Sequence, residues 1–240
     1  MSNVKIAPLT NVGLLSSAID RALQRPLGLP GLVVMFGASG LGKSVSAAVA
    51  ANRHRAYYVE CRDAWTKKAF LLAILREMGL VPSRTLSEMV DQVAEQLTLS
   101  GRPLLVDDAQ YLLDKAVANV ITDLHNASQG TIVLIGEKGV PASLAKLERL
   151  HNRVLEWVPA QPATLDDLRT LAETAYPGLE IEDELLDDLR RNVRGSLRRA
   201  AVNLYRINSE AQAHGVKSFG MELWGNRGWF TGEAPAAQRA

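Results

Sequence analysis

A chain of 240 residues, of which 47% are hydrophobic, is long enough for one α/β domain with a small appendage. Lysine and arginine total 27 against 26 acidic residues, so the net charge of +1 excludes a global attraction to nucleic acid and leaves only local basic patches. The lone Cys61 excludes an internal disulfide. No apolar run approaches the roughly 20 residues of a membrane span, and the N-terminal region lacks the apolar core of a signal peptide. We therefore expect a soluble, cytoplasmic protein.

Helix and strand patterns alternate through the first two thirds of the chain. Apolar spacing predicts a helix over 14–25, and prolines and glycines then interrupt the chain before LVVMF, a buried strand. Further strands are predicted at 56–61, 103–108, 131–136 and 154–159. The intervening segments predict helices at 43–53, 66–79, 87–100 (with Ser87 as its N-cap), near 114–127 and around 141–150. Strands separated by helices predict an α/β fold with a five-stranded parallel sheet flanked by helices.

Beyond Pro162 the pattern changes to helices alone. TLDDLRTLAETA begins with Thr164 and has acidic residues in its first turn, as a helix start requires, and two more amphipathic segments follow. The tail carries Trp224, Trp229 and Phe230, and we expect it to be partly disordered, with the aromatic residues docking it. The predicted domains are a core at 1–160, a small helical lid at 161–215 and a C-terminal tail at 216–240.

The stretch GASGLGKS fits the pattern G-x-x-x-x-G-K-[ST] and stands after a predicted strand and at the start of a helix. Glycines let backbone N–H groups turn inward around an anion, and the helix N-terminus adds partial positive charge. Lys43 would reach the β- and γ-phosphates, and the Ser44 hydroxyl would ligate Mg²⁺, so ATP and Mg²⁺ are the predicted ligands. The alternative is a glycine-rich turn with an incidental lysine and serine. The predicted nucleotide-binding residues are Gly37, Ala38, Ser39, Gly40, Leu41, Gly42, Lys43, Ser44 and Val45.

A second motif, PLLVDDAQ, supplies acidic residues at the end of another apolar strand. Asp107 stands where a Walker B carboxylate would bind the metal ion near the phosphates. Asp108 follows directly, in the place of a carboxylate that activates water. The alternative is a pair of surface acids that close a strand.

The order of these elements resembles the AAA+ ATPases, whose core is a five-stranded sheet followed by a helical lid. The resemblance covers most of the chain and implies a P-loop NTPase fold of the AAA+ type. In that family the acidic pair is usually Asp-Glu, whereas this chain has Asp107-Asp108. The shorter side chain would align a water molecule poorly, so we expect slow ATP hydrolysis. The sensor-1 position falls on Glu137, where the family commonly has Asn, Thr or Ser.

The same resemblance implies roles for two arginines. Arg153, or as second candidate Arg149, falls where the family places an arginine finger, which acts on the γ-phosphate of a neighbouring subunit. The alternative is that Arg153 caps the ends of a helix and a strand. Arg198, after the turn at Gly195, matches the sensor-2 arginine that reaches back to the nucleotide. The alternative there is a solvated basic helix face.

Within AAA+, three stretches resemble the transposition ATPases typified by the phage Mu B protein: GLVVMFGASGLGKSVSAAVAAN, AYYVECRDAWTKKAFLLAILREMG and LLVDDAQYL. This resemblance implies ATP-dependent self-assembly into a filament or ring on double-stranded DNA, capture of target DNA and stimulation of a transposase, in the cytoplasm of a bacterial host. The cradle begins at Gly37, so we expect the N-terminal helix-turn-helix domain of that family to be missing. DNA binding would then come from the ATPase domain itself.

Lys67, Lys68 and Arg62 form a basic cluster that is the candidate for sequence-nonspecific phosphate contacts. The alternative is a solvated helix start. A second function class also stays open, namely a loader or remodelling ATPase that acts on a protein partner without direct DNA binding.

Overall fold

The computed structural model describes residues 9–113 and 117–234. The described chain falls into two compact units. The sheet unit comprises Asn11–Ala38 and Lys43–Ala160, and the helical unit comprises the chain from Gln161 onward with the short segment Ser39–Gly42 and residues 9–10. Each described helix is too short or too polar to span a membrane.

The sheet unit is an α/β layer structure. Its helices are α1 (Thr10–Leu23), α2 (Lys43–His54), α3 (Lys67–Glu77), α4 (Leu86–Ser100), α5 (Gln110–Leu113), α6 (Ala118–Ser128), α7 (Val140–Ala145) and α8 (Glu148–His151). Its strands are β1 (Leu32–Gly37), β2 (Tyr57–Glu60), β3 (Leu104–Asp107), β4 (Ile132–Glu137) and β5 (Val154–Pro159). The strands pair in parallel in the order β2-β3-β4-β1-β5, so the predicted five-stranded parallel sheet with flanking helices is confirmed.

The central strand β1 is buried on both faces, as a parallel sheet covered by helices requires. Val33 and Met35 face one side, where they pack with residues of α1 and α2. Leu32 and Val34 face the other side, where they pack with residues of α3, α4 and α6. This period-two division explains why LVVMF is apolar throughout.

Because the strands are parallel, they all end along one border of the sheet and all begin along the other. Val34 is paired with Leu134 of β4, which is paired in turn with Val106 of β3. We call the edge where the strands end the carboxyl edge, and the edge where they begin the amino edge. Gly37 and Asp107, predicted from separate motifs, therefore both lie at the carboxyl edge.

Several helices begin or break differently from the prediction. Helix α4 begins at Leu86 and its N-cap is Thr85, not Ser87, because Thr85 and Glu88 form a reciprocal capping box. The helix predicted near 114–127 appears as the short α5 and the longer α6, with 114–116 outside the described residues. The helix predicted around 141–150 is divided into α7 and α8.

The helical unit contains α9 (Leu165–Ala175), β6 (Glu180–Ile181), α10 (Asp183–Asn192), α11 (Leu197–His214), β7 (Ser218–Phe219) and α12 (Met221–Trp224). The expectation of helices alone was wrong, because β6 and β7 pair in parallel. Each of these strands has only two residues, which is too short to show alternation in the sequence. The buried core of the unit includes Leu185, Leu189, Leu204, Ile207 and Phe219.

The helical unit includes the described part of the predicted tail. Trp224 is buried and stacks on Trp229 with 4.5 Å between the ring centroids. The indole Nε1 of Trp229 donates to Oδ2 of Asp188 over 2.7 Å, and the amide of Phe230 donates to Oδ1 of Asn203 over 2.9 Å. The described part of the tail, 216–234, therefore packs on α10 and α11, and 235–240 lie outside the described residues.

Candidate active site

The strand β1 delivers Gly37 to the carboxyl edge, and α2 begins at Lys43 after the intervening loop. The ammonium Nζ of Lys43 donates to the carbonyl oxygens of Gly37 and Ala38, each over 2.9 Å. Ser44 and Val45, in the first turn of α2, are exposed. A cation and an exposed hydroxyl thus stand at a helix N-terminus, which is the chemistry that a phosphate group requires.

The loop tip, Ser39–Gly42, belongs to the helical unit, and two of its glycines are required by geometry. Gly40 and Gly42 have φ values of 85° and 83°, in the left-handed region. A Cβ on Gly40 would lie 2.6 Å from Oγ of Ser196, and a Cβ on Gly42 would lie 2.6 Å from Cδ1 of Leu197. A side chain at either position would require the Ser196 hydroxyl or the Leu197 methyl group to move, and its backbone would be strained at the positive φ. Leu41 between them is buried.

Arg198 lies in the first turn of α11, directly at this loop tip. Its backbone amide donates to the carbonyl oxygen of Gly40 over 3.2 Å, and Nη1 of its exposed guanidinium is 3.5 Å from Oγ of Ser39. The preceding turn needs Gly195, whose φ is 66° and whose added Cβ would lie 2.5 Å from Pro162. Within the helical unit, the predicted sensor-2 arginine thus lies beside Ser39 and Gly40.

Asp107 is the last residue of β3 and is almost completely buried, with 1% of its surface exposed. Its Oδ1 accepts from the amide of Asp108 over 2.9 Å, and its Oδ2 accepts from the hydroxyl of Tyr58 over 2.9 Å. Each carboxylate oxygen has two acceptor sites, so one on each remains for a ligand.

The donor set at the carboxyl edge fits Mg²⁺. A magnesium ion typically takes one or two carboxylates together with phosphate oxygens and water, and Asp107 and Ser44 supply hard oxygen atoms of that kind. Within the described ranges, no three His, Cys, Asp or Glu side chains gather into a protein-only metal cage. When bound, the ion would neutralise charge on the phosphates.

The carboxylate of Asp108 is held by a neighbouring side chain. Its Oδ1 accepts from Nε2 of Gln110 over 3.0 Å, and Oε1 of Gln110 accepts from the amide of Glu137 over 3.3 Å. Asp108 has a φ of 52°, in the left-handed region that Asp and Asn adopt more readily than other side chains. The second acid of the motif therefore sits on a turned backbone and is tied to the end of β4.

Burial next to Asp107 changes two pKa values. Burial, and then the charge of Asp107, raises the pKa of Tyr58 well above its ordinary value. Burial, and then Asp107, likewise raises the pKa of the Cys61 thiol. Tyr58 therefore stays a hydrogen-bond donor at neutral pH, and Cys61 stays a protonated thiol with little nucleophilic character.

The two candidates for the arginine finger, Arg153 and Arg149, lie near the amino edge of the sheet. Arg153 directly precedes β5, and its carbonyl oxygen accepts from the amide of Leu32 at the start of β1. Its Nε donates to Oδ1 of Asn126 over 2.7 Å, and its Nη1 donates to the carbonyl oxygen of Arg149. Arg149 itself is exposed on α8. A strand rises about 3.3 Å per residue. The whole of β1 therefore separates Arg153 from the phosphate loop of the same chain.

The basic cluster stands at the carboxyl end of β2. Arg62 is exposed after β2, and Lys67 and Lys68 are the first two residues of α3, whose N-cap is Thr66. Glu137, predicted as a sensor-1 position, ends β4 with an exposed side chain and engages Gln110 through its backbone.

The sequence interpretation missed Tyr58 and Gln110 as parts of the site. Tyr58 is two residues before the end of β2, and Gln110 belongs to the motif PLLVDDAQ. The position of Gln110 in that motif was the available signal. Tyr58 gave none, because its contact with Asp107 depends on the pairing of β2 with β3.

Comparisons with known proteins agree with this fold. Residues 27–144 match the family model described as an AAA domain. No curated protein matches the sequence. Among solved structures, the ORC2 protein of Aeropyrum pernix in ADPNP and ADP complexes has a TM-score of 0.69 at 16% identity, over 93% of this chain and 68% of that one.

Two further structures show the same likeness. The ORC1 protein of A. pernix in complex with DNA has a TM-score of 0.64 at 17% identity, over 92% of this chain and 65% of that one. The RuvB Holliday junction branch migration motor of Thermotoga maritima has a TM-score of 0.61 at 20% identity, over 89% of this chain and 66% of that one. The chain thus spans about two thirds of the length of these relatives.

The fold and the domain match are those of a P-loop ATPase. More narrowly, the fold is that of the AAA+ ATPases: residues 27–144 match the AAA domain model, and the chain is similar in fold to the ORC and RuvB structures.

Proposed function

We propose that this protein is an ATP-switched ATPase that binds double-stranded DNA without sequence preference, assembles on it as a homo-oligomer, captures target DNA and stimulates a transposase. Structural neighbours described as DNA-bound or as a DNA branch migration motor support the DNA contact. The transposition role rests on the sequence resemblance to the phage Mu B group.

The observation that carries the DNA contact is the position of Lys67 and Lys68. They occupy the first turn of α3, which contains no acidic residue. A helix N-terminus disfavours cations by about 0.3–1 kcal/mol each, so these lysines do not serve helix stability. An external polyanion such as the DNA backbone would compensate this cost.

We assign the nucleotide chemistry to residues whose geometry suits it. Lys43 binds the β- and γ-phosphates, Ser44 and Asp107 bind Mg²⁺, and Asp108 orients the attacking water. The glycines of the loop let its backbone amides approach the phosphates.

Slow hydrolysis follows from the second acid. Asp108 is one methylene shorter than the glutamate usual in the family, so its carboxylate reaches less far toward an attacking water. A poorly aligned water is activated slowly, so ATP binding rather than turnover would set the assembly state.

Oligomerisation would complete the site. Arg153 lies at the amino edge, remote from the loop at the end of its own β1. It would therefore act on the nucleotide of a neighbouring copy, with Arg198 acting on the nucleotide of its own chain.

The alternative, a loader or remodelling ATPase acting on a protein partner, is favoured by the charge pairing of the helical unit. Arg169 pairs with Asp166 and Asp183, and Arg190 and Arg191 both pair with Asp187. These arginines are neutralised locally and supply little of a DNA-binding surface.

The two functions are separated by DNA retention measured with ATP across a salt series. We expect the DNA affinity of wild type to fall steeply with salt. The variant K67A/K68A should lose affinity equally for all DNA sequences, and its slope of log K against log salt concentration should be smaller in magnitude by about 2. The variant R84A/K217A, which removes two exposed cations elsewhere, is the matched control. Absence of DNA binding at roughly 50 mM salt, where phosphate contacts are strongest, would contradict the proposal in favour of the protein-partner alternative.

A further inference from the structure

We propose that Tyr58 and Gln110 are positioning residues of the ATPase site, which hold the carboxylates of Asp107 and Asp108 in two separate orientations. The inference rests on the roles proposed above for those two acids. Together the four side chains form a hydrogen-bonded frame that extends from β2 across the end of β3 to the end of β4.

Tyr58 reaches Asp107 because of the sheet register. Tyr58 is paired with Leu105, so Asp107 lies two residues further along the same face of β3. That face is the one covered by α1 and α2, since Leu105 packs in the cluster that includes Ala47 and Ala50 of α2. The hydroxyl thus holds Asp107 on the side of the sheet from which the phosphate loop leads into α2.

Gln110 uses both ends of its amide. Nε2 donates to Asp108, and Oε1 accepts from the backbone of Glu137. This bridge passes over Gly136, where an added Cβ would lie 2.7 Å from Oε1 of Gln110 and 2.6 Å from Cγ2 of Val140. Because Gly136 has no side chain, it leaves room near the end of β4 for the amide of Gln110.

Two adjacent carboxylates need such support because each repels the other. The φ of 52° at Asp108 turns the backbone just after Asp107, and the two donors then fix the side chains on either side of that turn. Partners of this kind around metal-binding and catalytic groups typically affect affinity or rate by about 10- to 100-fold.

The two residues have separable effects. Tyr58 acts on the metal-binding acid, so its loss should weaken magnesium-dependent nucleotide binding. Gln110 acts on the water-orienting acid, so its loss should lower turnover and leave nucleotide affinity unchanged. A merely structural role would move neither property selectively.

For Tyr58, the test is equilibrium binding of a fluorescent non-hydrolysable ATP analogue titrated with Mg²⁺. We expect Y58F to need about tenfold more Mg²⁺ for half-maximal binding. The matched control is Y57F, which also removes one buried hydroxyl, bonded to Gln96, but on the opposite face of β2. A Mg²⁺ dependence of Y58F equal to that of wild type would overturn the role of Tyr58.

For Gln110, the test combines steady-state phosphate release with analogue affinity in Q110L and Q110E. Q110E keeps the side-chain length and the acceptor for the amide of Glu137 but loses the donor to Asp108. It therefore checks that a lower turnover of Q110L is not caused by misfolding. We expect both to lower kcat about tenfold with unchanged nucleotide affinity. The control Q92L removes a glutamine of α4 that also uses both ends of its amide, in this case to bridge the backbone of Val81 and Ser83.

Combination with Asp108→Asn shows whether Gln110 acts through that acid. We expect Q110L/D108N to be no slower than D108N alone, because the bridge has no function once the carboxylate is gone. Fully additive losses, or wild-type turnover of Q110L, would overturn the role of Gln110. Wild-type turnover of D108N would instead overturn the proposed role of Asp108, and the Gln110 part of this inference with it.

Discussion

The backbone amide of Arg198 donates a 3.2 Å hydrogen bond to the carbonyl oxygen of Gly40, so the first turn of α11 is capped by the loop that we assign to phosphate binding. The first N–H groups of a helix have no partner inside the helix. Gly40 satisfies one of them here, and Ser196 satisfies another by accepting from Arg199. A change in the loop tip would therefore reach α11 directly.

The guanidinium of Arg198 is separate from this backbone bond, which makes R198A informative. The substitution keeps the amide bond to Gly40 and removes the charge 3.5 Å from Ser39. We expect turnover to fall about 100-fold, as on removing one donor from a developing negative charge. Phosphate release would be compared with R191A, which removes an exposed arginine of α10, and equal rates in the two variants would refute the role of Arg198.

Arg153 should act between copies, and mixing variants tests that. R153A alone should lose about 10³-fold in turnover at a fixed protein concentration. K43A alone should not bind nucleotide, yet it retains Arg153. Adding K43A to R153A should therefore restore part of the phosphate release. If the mixture releases no more phosphate than the two variants measured separately, Arg153 only caps the ends of the helix and strand that it contacts.

His125 should make the sheet unit sensitive to acid. Its Nε2 accepts from the amide of Gly31 over 3.0 Å, and burial followed by the charges of Arg25 and Arg153 lowers its pKa to about 4. Because the unfolded chain, with an ordinary histidine pKa near 6.5, takes up the proton first, stability is present above about pH 6.5 and is lost as the pH falls toward 4. We expect wild type to lose up to about 3 kcal/mol over that window through this residue.

Urea unfolding of wild type and H125Q between pH 7 and about pH 4 measures this effect. Glutamine keeps an acceptor for Gly31 without the titration, so the variant should show a flatter pH dependence. Parallel curves for the two proteins would assign acid sensitivity to other groups.

Asn203 should anchor the C-terminal segment. It is fully buried, donates to the carbonyl oxygens of Arg199 and Phe230, and accepts from the amide of Phe230. N203A removes the partner of partly buried backbone groups of Arg199 and Phe230, so we expect a loss of about 1.5 kcal/mol in unfolding free energy and faster proteolysis of the tail. N192A, which removes an exposed asparagine of α10, should cost less than about 0.5 kcal/mol. Similar losses in the two variants would mean that the segment is held by its tryptophans alone.

Local motifs account for what the sequence could predict. Each predictive motif lies within a few consecutive residues, so its chemistry can be recognised without knowing the fold. Examples are the run LVVMF with the glycines after it, and the acids after PLLV. The strand order could not be predicted, because pairing of β1 with β4 and β5 depends on contacts between distant segments. Tyr58 was missed for the same reason, since its partner Asp107 lies on the next strand.

Other differences were local but weak in signal. Ser87 and Thr85 are both good N-cap residues, and only the reciprocal bond with Glu88 distinguishes them. The strands β6 and β7 are too short to carry a period. The tail lacks regular apolar spacing, and its packing depends on single polar contacts such as Trp229 with Asp188.

The central claim is that ATP binding switches this protein onto DNA. Cosedimentation with linear double-stranded DNA, in ATP, in ADP and without nucleotide, tests it most directly, with K43A as the variant that cannot bind phosphate. We predict large DNA-bound particles with wild type and ATP only, and none with K43A. Equal DNA binding in all three nucleotide conditions, or none in any, would contradict the account.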